Sequence, residues 1–460
     1  MRVVIVGNGV AGIEAARAIR ARDRASTITI VSDESRHFFA RTALLYVLAG
    51  QQSMREIEPI ERAHVDALGL EVVRGRAVGV DTGARTLRLD DGRALSYDAL
   101  LVASGSRPRP LGIPGEDTIG VGTFVTLRDL AWLHEELHGV PLADVDASAA
   151  SAQATTAYTK RPSAWSRKGR AADRVVVVGG GLIGIECVEA ALAAKKDTHF
   201  VVRDEWVWPM AIDAREGAFI GRALSAHGCH VHARAEVRSI GAVEGVVDSV
   251  TLSVGGEQKT IGCDALVVAI GVEPNTEWLA GSPIERDARG GIVVDDRLAT
   301  SIPGVFAAGD CASVPAPGGG HTVQQLWYTA RDQGRVVGRA ITGDADARHT
   351  MGVFYNSAKL MDVEYTTVGR IGRSAPSSSE WFFEETGKVQ STVRIAHEAG
   401  AVVGVNVLGR RVDHTVLARF IEERRSPRDV VRRLGEARFD TEFVPPLVVP
   451  KSAWPAESAT

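Results

Sequence analysis

Two sets of three glycines carry the clearest chemistry in this sequence. Gly7, Gly9 and Gly12 in VGNGVAG, and Gly179, Gly181 and Gly184 in VGGGLIG, both follow G-x-G-x-x-G spacing. The first glycine of such a set permits a tight turn, the second lets the backbone approach a pyrophosphate, and the third lets a helix pack closely on a strand. The helix that follows meets the negative charge with unpaired N–H groups and its dipole. Val10 and Ala11 in the first copy, and Leu182 and Ile183 in the second, fall in its first turn. One copy alone is weak, because glycines also end strands for structural reasons. Two copies, each opening a strand–helix–strand pattern, point to two dinucleotide-binding units.

The residues after each second strand refine this. A carboxylate there hydrogen-bonds the adenosine ribose. The first unit ends in VSDES and offers Asp33 or Glu34; the second ends in VVRDEW, with Arg203 at the expected carboxylate position and Asp204 beside it. Arginine suits a 2′-phosphate, hence NADPH, whereas Asp204 suits a plain ribose. The balance leans slightly to NADPH.

The elements that hold these glycines are legible as well. RVVIVGNGVAGIEAARAIRAR at Arg2 and RVVVVGGGLIGIECVEAALAAKK at Arg174 each run from β-branched residues through glycines into an Ala-rich helical stretch, and TITIV and THFVV follow as second strands. Apolar runs without alternation belong to strands buried on both faces, as in parallel sheets covered by helices. The expected fold is α/β, with two Rossmann-like domains and a C-terminal α+β domain. The expected boundaries are 1–128 with 290–345 for the first unit, 174–289 for the second and 346–460 for the last. Between the units, Pro141 to Asp173 is rich in Ala, Ser and Thr and reads as an insertion or linker, with Trp165 its one docking candidate. The apolar end FVPPLVVP reads as a packed strand rather than an anchor.

Composition narrows the function classes. With 460 residues, two or three domains are expected. A formal charge of −4 gives no reason to expect nucleic acid. Cys187, Cys229, Cys263 and Cys311 are scattered without C-x-x-C or metal-ligand spacing, which argues against a disulfide framework and against zinc or iron–sulfur sites, so no metal is expected. A reducing, cytoplasmic setting fits such cysteines. The N-terminus begins directly on a strand-like run, and neither a signal peptide nor a membrane span is expected.

Together with LLVASGSRPRP from Leu100 and TSIPGVFAAGDCA from Thr300, the two units resemble the two-dinucleotide-domain flavoprotein reductases of the pyridine-nucleotide-disulfide reductase superfamily, whose fold is that of glutathione reductase. The resemblance implies FAD on the first unit, NAD(P)H on the second and a C-terminal interface domain. It implies that Asp310 binds the ribityl chain, with Gly309 giving close approach. Ala103, Ser104 and Gly105 match a short A-T-G signature, Ser104 keeping the hydroxyl. Ala77 aligns with the position whose backbone pairs with adenine, and Gly271 joins the cofactor-binding set. Trp327 aligns with a tryptophan beside the flavin ring; the alternative is a core aromatic. Glu186 matches the glutamate close to where nicotinamide and flavin meet.

The resemblance also makes an absence informative. Disulfide reductases of this superfamily carry two cysteines in the helix after the first unit, and peroxidases, water-forming oxidases and coenzyme A disulfide reductases carry one. RHFFARTALLYVLAG, from Arg36, has none. No thiolate there can form a charge-transfer pair, a sulfenic acid or a mixed disulfide. What remains are the ferredoxin, rubredoxin and putidaredoxin reductases and the flavin module of nitrite reductase. Leu45 stands where oxygenase-type ferredoxin reductases have a lysine. Arg41 matches an arginine of the nitrite-reductase-like group and reads as a catalytic-site cation for Glu186, a contact to FAD phosphate, or a surface salt bridge. These two positions lean toward the nitrite-reductase-like branch. The implied reaction moves a hydride from NAD(P)H to FAD and then electrons to a separate acceptor: a ferredoxin, a rubredoxin or a partner oxidoreductase. The basic stretch ERRSPRDVVRR, from Glu423, reads either as an ordinary exposed helix face or as a docking surface for it. The alternatives are reduction of quinones or oxygen, or a nucleotide-sensing binding role. A homodimer is allowed by the resemblance.

Overall fold

The computed structural model describes residues 1–142, 170–387, 389–439, 442 and 444–456. Most of the expected insertion, with Trp165, lies outside these residues. The chain forms two compact units.

The first unit comprises Met1–Gly112, Glu116–Ala172 and Ile270–Met351. Its centre is a parallel sheet in which strand Arg2–Val6 pairs with Thr27–Ser32 on one side and Ala99–Val102 on the other. Glu71–Arg74 and Val305–Ala307 complete the edges. Val3, Ile5, Ile28, Ile30, Leu100 and Leu101 are fully buried, as expected for β-branched and Leu-rich strands covered on both faces. Helix Val10–Arg22 packs on this sheet and is itself covered by helix Trp327–Ile341. The two helices touch backbone to backbone. A Cβ on Gly334 would lie 2.5 Å from the Ala11 carbonyl oxygen, and one on Gly338 would lie 2.6 Å from that of Ala15. An antiparallel sheet of Ala77–Asp81, Thr86–Leu89 and Ala94–Ser96 completes the unit.

The second unit comprises Ile113–Gly115, Asp173–Ala269 and Gly352–Thr460. Strand Arg174–Val178 pairs in parallel with Asp197–Val202 and Ala265–Val268, and His230–Ala233 extends the sheet beyond Asp197–Val202. An antiparallel sheet follows, from Ala235–Val243, Val246–Val254 and Glu257–Gly262. The C-terminal part is a five-stranded antiparallel sheet in the order Tyr355–Leu360, Val363–Gly369, Ala401–Leu408, Ser391–Glu398, Ser379–Glu385. Helices His414–Glu422 and Pro427–Arg433 pack on it through Leu417, Phe420, Val430 and Val431.

A buried ion cluster ties the C-terminal sheet to the nucleotide-type part of the same unit. Arg394, fully buried on strand Ser391–Glu398, bonds Glu216 at 2.8 Å and Glu380 at 2.7 Å. Glu216, equally buried, also closes the capping box of helix Ala214–Ala226 with Asp213. Of the FVPPLVVP segment, Phe443 lies outside the described residues, and Val444–Pro450 is not a strand: Pro445, Pro446 and Pro450 have no N–H for a ladder, although Leu447 and Val449 still pack on the C-terminal core. Among the described residues, no helix is long and apolar enough to cross a membrane.

Candidate cofactor-binding sites

Each glycine in the first cradle has a distinct geometric reason. Gly7 turns with φ +112°, and a Cβ there would lie 2.1 Å from the Ala103 carbonyl oxygen. A Cβ on Gly12 would lie 2.1 Å from the Gly7 carbonyl oxygen. Gly9 is different: nothing lies within 4 Å of its would-be Cβ. It is the N-cap of helix Val10–Arg22, which has no side-chain cap and no acid in its first turn. Helix Leu127–His138 in the same unit is closed by a Thr126–Asp129 capping box. An open glycine at an uncapped helix start leaves N–H groups without partners, and a pyrophosphate satisfies them.

Around this cradle the expected residues take separate places. Asp33 accepts a hydrogen bond from Arg76 at 2.9 Å through one oxygen. Glu34 is fully engaged: Arg41 donates to both of its oxygens at 3.0 and 2.6 Å, and the Leu127 N–H donates at 2.7 Å. Burial works against the Glu34 charge, but the Arg41 charge and these hydrogen bonds hold its carboxyl below the usual glutamate value. Arg41 also donates to the Val125 carbonyl at 2.7 Å. Ala77 is buried at the start of its strand, opposite Leu89.

At the carboxyl ends of the sheet strands, Ala103 donates its N–H to Val6. The Ser104 hydroxyl donates to the Asn275 carbonyl at 2.7 Å, and the Asn275 N–H donates to Gly105. Gly271 accepts from the Arg109 N–H. Asp310 accepts from the Ser106 hydroxyl at 2.9 Å; burial raises its carboxyl, with Ser106 and Arg41 opposing. Gly309, at φ +81°, donates its N–H to the Gln333 side-chain oxygen at 2.7 Å. Gln333 is fully buried, so it fixes the turn that presents Asp310. Its role was not foreseen, since only the exposed-looking QQLWYTARDQG string marks it. Trp327 begins helix Trp327–Ile341, and its buried indole N–H has no hydrogen-bond partner. The Gln333 amide nitrogen is likewise buried without a partner. Two orphaned donors on the helix that packs against the uncapped helix Val10–Arg22 fit a ligand with polar ring edges, and the open Gly9 fits its phosphate, as in FAD.

The second unit repeats the cradle. Gly179 turns with φ +116°, a Cβ on Gly184 would lie 1.9 Å from the Gly179 carbonyl oxygen, and Gly181 faces open space. Gly181 caps helix Leu182–Ala193, again without a side-chain cap or first-turn acid, so Leu182 and Ile183 present bare N–H groups. Arg203 is exposed and has no hydrogen bond or ion pair with the described residues, while Asp204 already pairs with Arg373 at 3.1 Å. Glu186, one turn into the helix, has no hydrogen bond or ion pair among the described residues. Burial, then the nearby Glu189 charge, push its carboxyl up to about 7. Glu189 itself accepts from the Met361 N–H.

No thiol chemistry is available at either cradle. All four cysteines are buried and none is in a disulfide, and burial raises both the Cys311 thiol beside Asp310 and the Cys229 thiol, the latter to about 12. The neutral thiol is neither nucleophile nor charge-transfer donor.

A family model for pyridine nucleotide-disulphide oxidoreductases matches residues 1–334. The chain belongs to that family. Like its relatives it is an FAD-dependent, NAD(P)H-using oxidoreductase. It is 31% identical over 350 residues to the rhodocoxin reductase of Rhodococcus erythropolis, covering 75% of this chain and 72% of that one. It is 27% identical over 342 residues to the ferredoxin–NAD(+) reductase subunit of the benzene 1,2-dioxygenase system of Pseudomonas putida, covering 74% of each. The latter is oxygenase-coupled by name, so similarity on that side persists despite Leu45 and Arg41. Among solved structures, a ferredoxin reductase from Rhodopseudomonas palustris superposes with a TM-score of 0.74 at 24% identity, over 89% of this chain and 91% of that one. At that identity it shows the fold alone.

Proposed function

We propose that this enzyme takes a hydride from NAD(P)H onto FAD and passes electrons one at a time to a separate small carrier protein of the ferredoxin, rubredoxin or putidaredoxin kind. The observation that carries this reading is the pair of open, uncapped glycine cradles in a chain whose four cysteines are all buried. The relatives named as ferredoxin or rhodocoxin reductases support the carrier. Bound flavin supplies the conversion of a two-electron donor into single electrons, and the protein supplies position and electrostatics.

In this reading the helices after Gly9 and Gly181 hold the two pyrophosphates. Asp33, whose carboxylate is the less occupied of the two candidates, takes the flavin's adenosine ribose. Glu34 and Arg41 brace the cradle wall, and Asp310, set by Gln333 and Ser106, takes the ribityl hydroxyls. The Trp327 N–H meets the flavin ring. Ala77 offers its backbone to adenine, and Ala103, Ser104, Gly105 and Gly271 shape the turns on either side. Glu186 tunes charge beside the nicotinamide. Arg203, left unpaired while Asp204 pairs with Arg373, favours the 2′-phosphate of NADPH. We assign residues 1–128 with 290–345 to FAD, 174–289 to NAD(P)H and 346–460 to the interface domain. Four cysteines outside any disulfide suit a reducing, cytoplasmic compartment.

Anaerobic stopped-flow reduction by NADH and by NADPH, followed by turnover against a panel of oxidised ferredoxins and rubredoxins, tests the proposal. Turnover with a carrier far above that with oxygen or quinones is expected. Equal or faster turnover with oxygen or a quinone overturns the carrier assignment.

A further inference from the structure

Outside both cradles, the parallel sheet of the second unit gathers a group of metal-ligating side chains. Asp197 and His199 alternate on strand Asp197–Val202, and His230 and His232 alternate on the adjacent strand His230–Ala233. The register sets His199 opposite His230. Residues two apart share a face of a strand, so all four side chains stand on one face. Their position is the start of these strands. Gly181 follows the carboxyl end of Arg174–Val178, so the group sits at the opposite end of the sheet from the nucleotide cradle.

The distances suit a metal better than a hydrogen bond. The Asp197 Oδ1 is 3.4 Å from His199 Nε2 and 3.4 Å from His230 Nε2. An N–H···O bond is shorter, about 2.7–3.2 Å. Zinc held tetrahedrally by nitrogen and oxygen at about 2.0–2.1 Å keeps its ligand atoms about 3.4 Å apart. Two of the three edges have that length, and all three atoms lie within 4.8 Å of one another. His230, the most exposed of the three at 61%, can swing to shorten the third edge.

Outer contacts already orient the ligands. Arg174 donates to Asp197 Oδ2 at 2.6 Å and leaves Oδ1 facing the histidines. His199 Nδ1 is 2.9 Å from His232 Nε2, with the two rings stacked 5.2 Å apart. In the tautomer where Nδ1–H donates to His232, His199 Nε2 presents a lone pair toward an anionic oxygen. Two acceptors facing each other without a proton between them call for a cation. Hydrogen-bonded histidine and carboxylate ligands of this kind are the usual outer support of zinc sites.

We propose that Asp197, His199 and His230 form a zinc site that staples the starts of two neighbouring strands, with its fourth position open to water. Two imidazoles select a borderline transition ion such as Zn2+ over Ca2+ or Mg2+, which take oxygen ligands. Because the ion binds the folded sheet and not the unfolded chain, it raises the unfolding temperature by mass action.

The test uses FAD-loaded protein without a polyhistidine tag, stripped with a chelator and titrated calorimetrically with ZnCl2. One saturable Zn2+ per chain is expected, with binding weakened at least about tenfold by H230A and by D197N, and by a similar factor when the supporting His232 becomes Ala. Flavin absorbance and the rate of reduction by NAD(P)H should be unchanged in H230A, which shows that the variant is folded. Co2+ in place of Zn2+ should give the intense visible bands of a tetrahedral site in the parent protein, absent in H230A. No saturable binding, or binding by either H230A or D197N as tight as by the parent protein, overturns the site and leaves a plain Asp–His ion pair.

Discussion

Arg41 and Glu34 form a two-pronged ion pair, Nη1 to Oε1 at 3.0 Å and Nη2 to Oε2 at 2.6 Å, and the same Glu34 receives the N–H of Leu127 at the start of a helix. One carboxylate thereby joins the turn after the second strand, the RHFFARTALL segment and helix Leu127–His138.

Glu34→Gln should lower stability by about 1–2 kcal/mol, because Arg41 loses its counter-charge and the Leu127 N–H keeps only a weaker acceptor. The sign with pH follows from the depressed carboxyl. Its contribution is fully present above the ordinary glutamate value of 4.5 and is lost as pH falls through the lower folded value. Thermal unfolding at pH 7 and below pH 4 checks this; the difference between parent and variant should shrink in acid.

Glu186 has the opposite sign. Its carboxyl is raised to about 7, so the folded state prefers the proton, and stability falls as pH rises between about 4.5 and 7. Glu186→Gln should be more stable than the parent at pH 8 and indistinguishable near pH 4. The rate of flavin reduction should lose its inflection near pH 7. Since hydride transfer needs no acid–base group, the optimum rate should change by less than the ~100-fold typical of a lost proton-transfer residue.

Arg203→Ala should raise KM for NADPH by about ten- to a hundredfold, the worth of a charge-assisted phosphate contact, and leave NADH nearly unchanged. Steady-state kinetics with each nucleotide decides it. Equal effects on both would remove the 2′-phosphate role.

Arg394→Met strands the buried carboxylate of Glu216, and about 3–5 kcal/mol of stability should be lost in denaturant unfolding. Pairing it with Glu216→Gln should recover part of that loss, because the orphaned charge is gone. If the double variant is worse than Arg394→Met by the full cost of Glu216→Gln, the two residues are not coupled.

The sequence exposed what the backbone itself requires. A turn at Gly7 and contacts near 2 Å at Gly12 and Gly184 tolerate no side chain, so glycine spacing is written directly into the string. Burial on both faces of Arg2–Val6 and Arg174–Val178 likewise forces continuous Val and Ile runs. Contacts made by side chains across long separations left no such mark. Gln333 reaches Gly309 from 24 residues away, and Glu34 reaches Leu127 from 93. The Asp197–His199–His230 group left no mark for a related reason: D-x-H and H-x-H lie 33 residues apart in the sequence and become neighbours only through strand pairing. FVPPLVVP misled by its apolar residues, although its prolines forbid the ladder.

The contact between helix Val10–Arg22 and helix Trp327–Ile341 joins the two ends of a span of more than three hundred residues. Gly334 and Gly338 meet Ala11 and Ala15 so closely that nothing else in the chain can take their place. On the ribosome, the first cradle is therefore made early but cannot be finished until its closing helix has emerged. The four strands Arg174–Val178, Asp197–Val202, His230–Ala233 and Ala265–Val268 of the second unit are complete well before then. Loading of the flavin therefore waits for residues 327–341, and a chain that ends before residue 327 should be colourless.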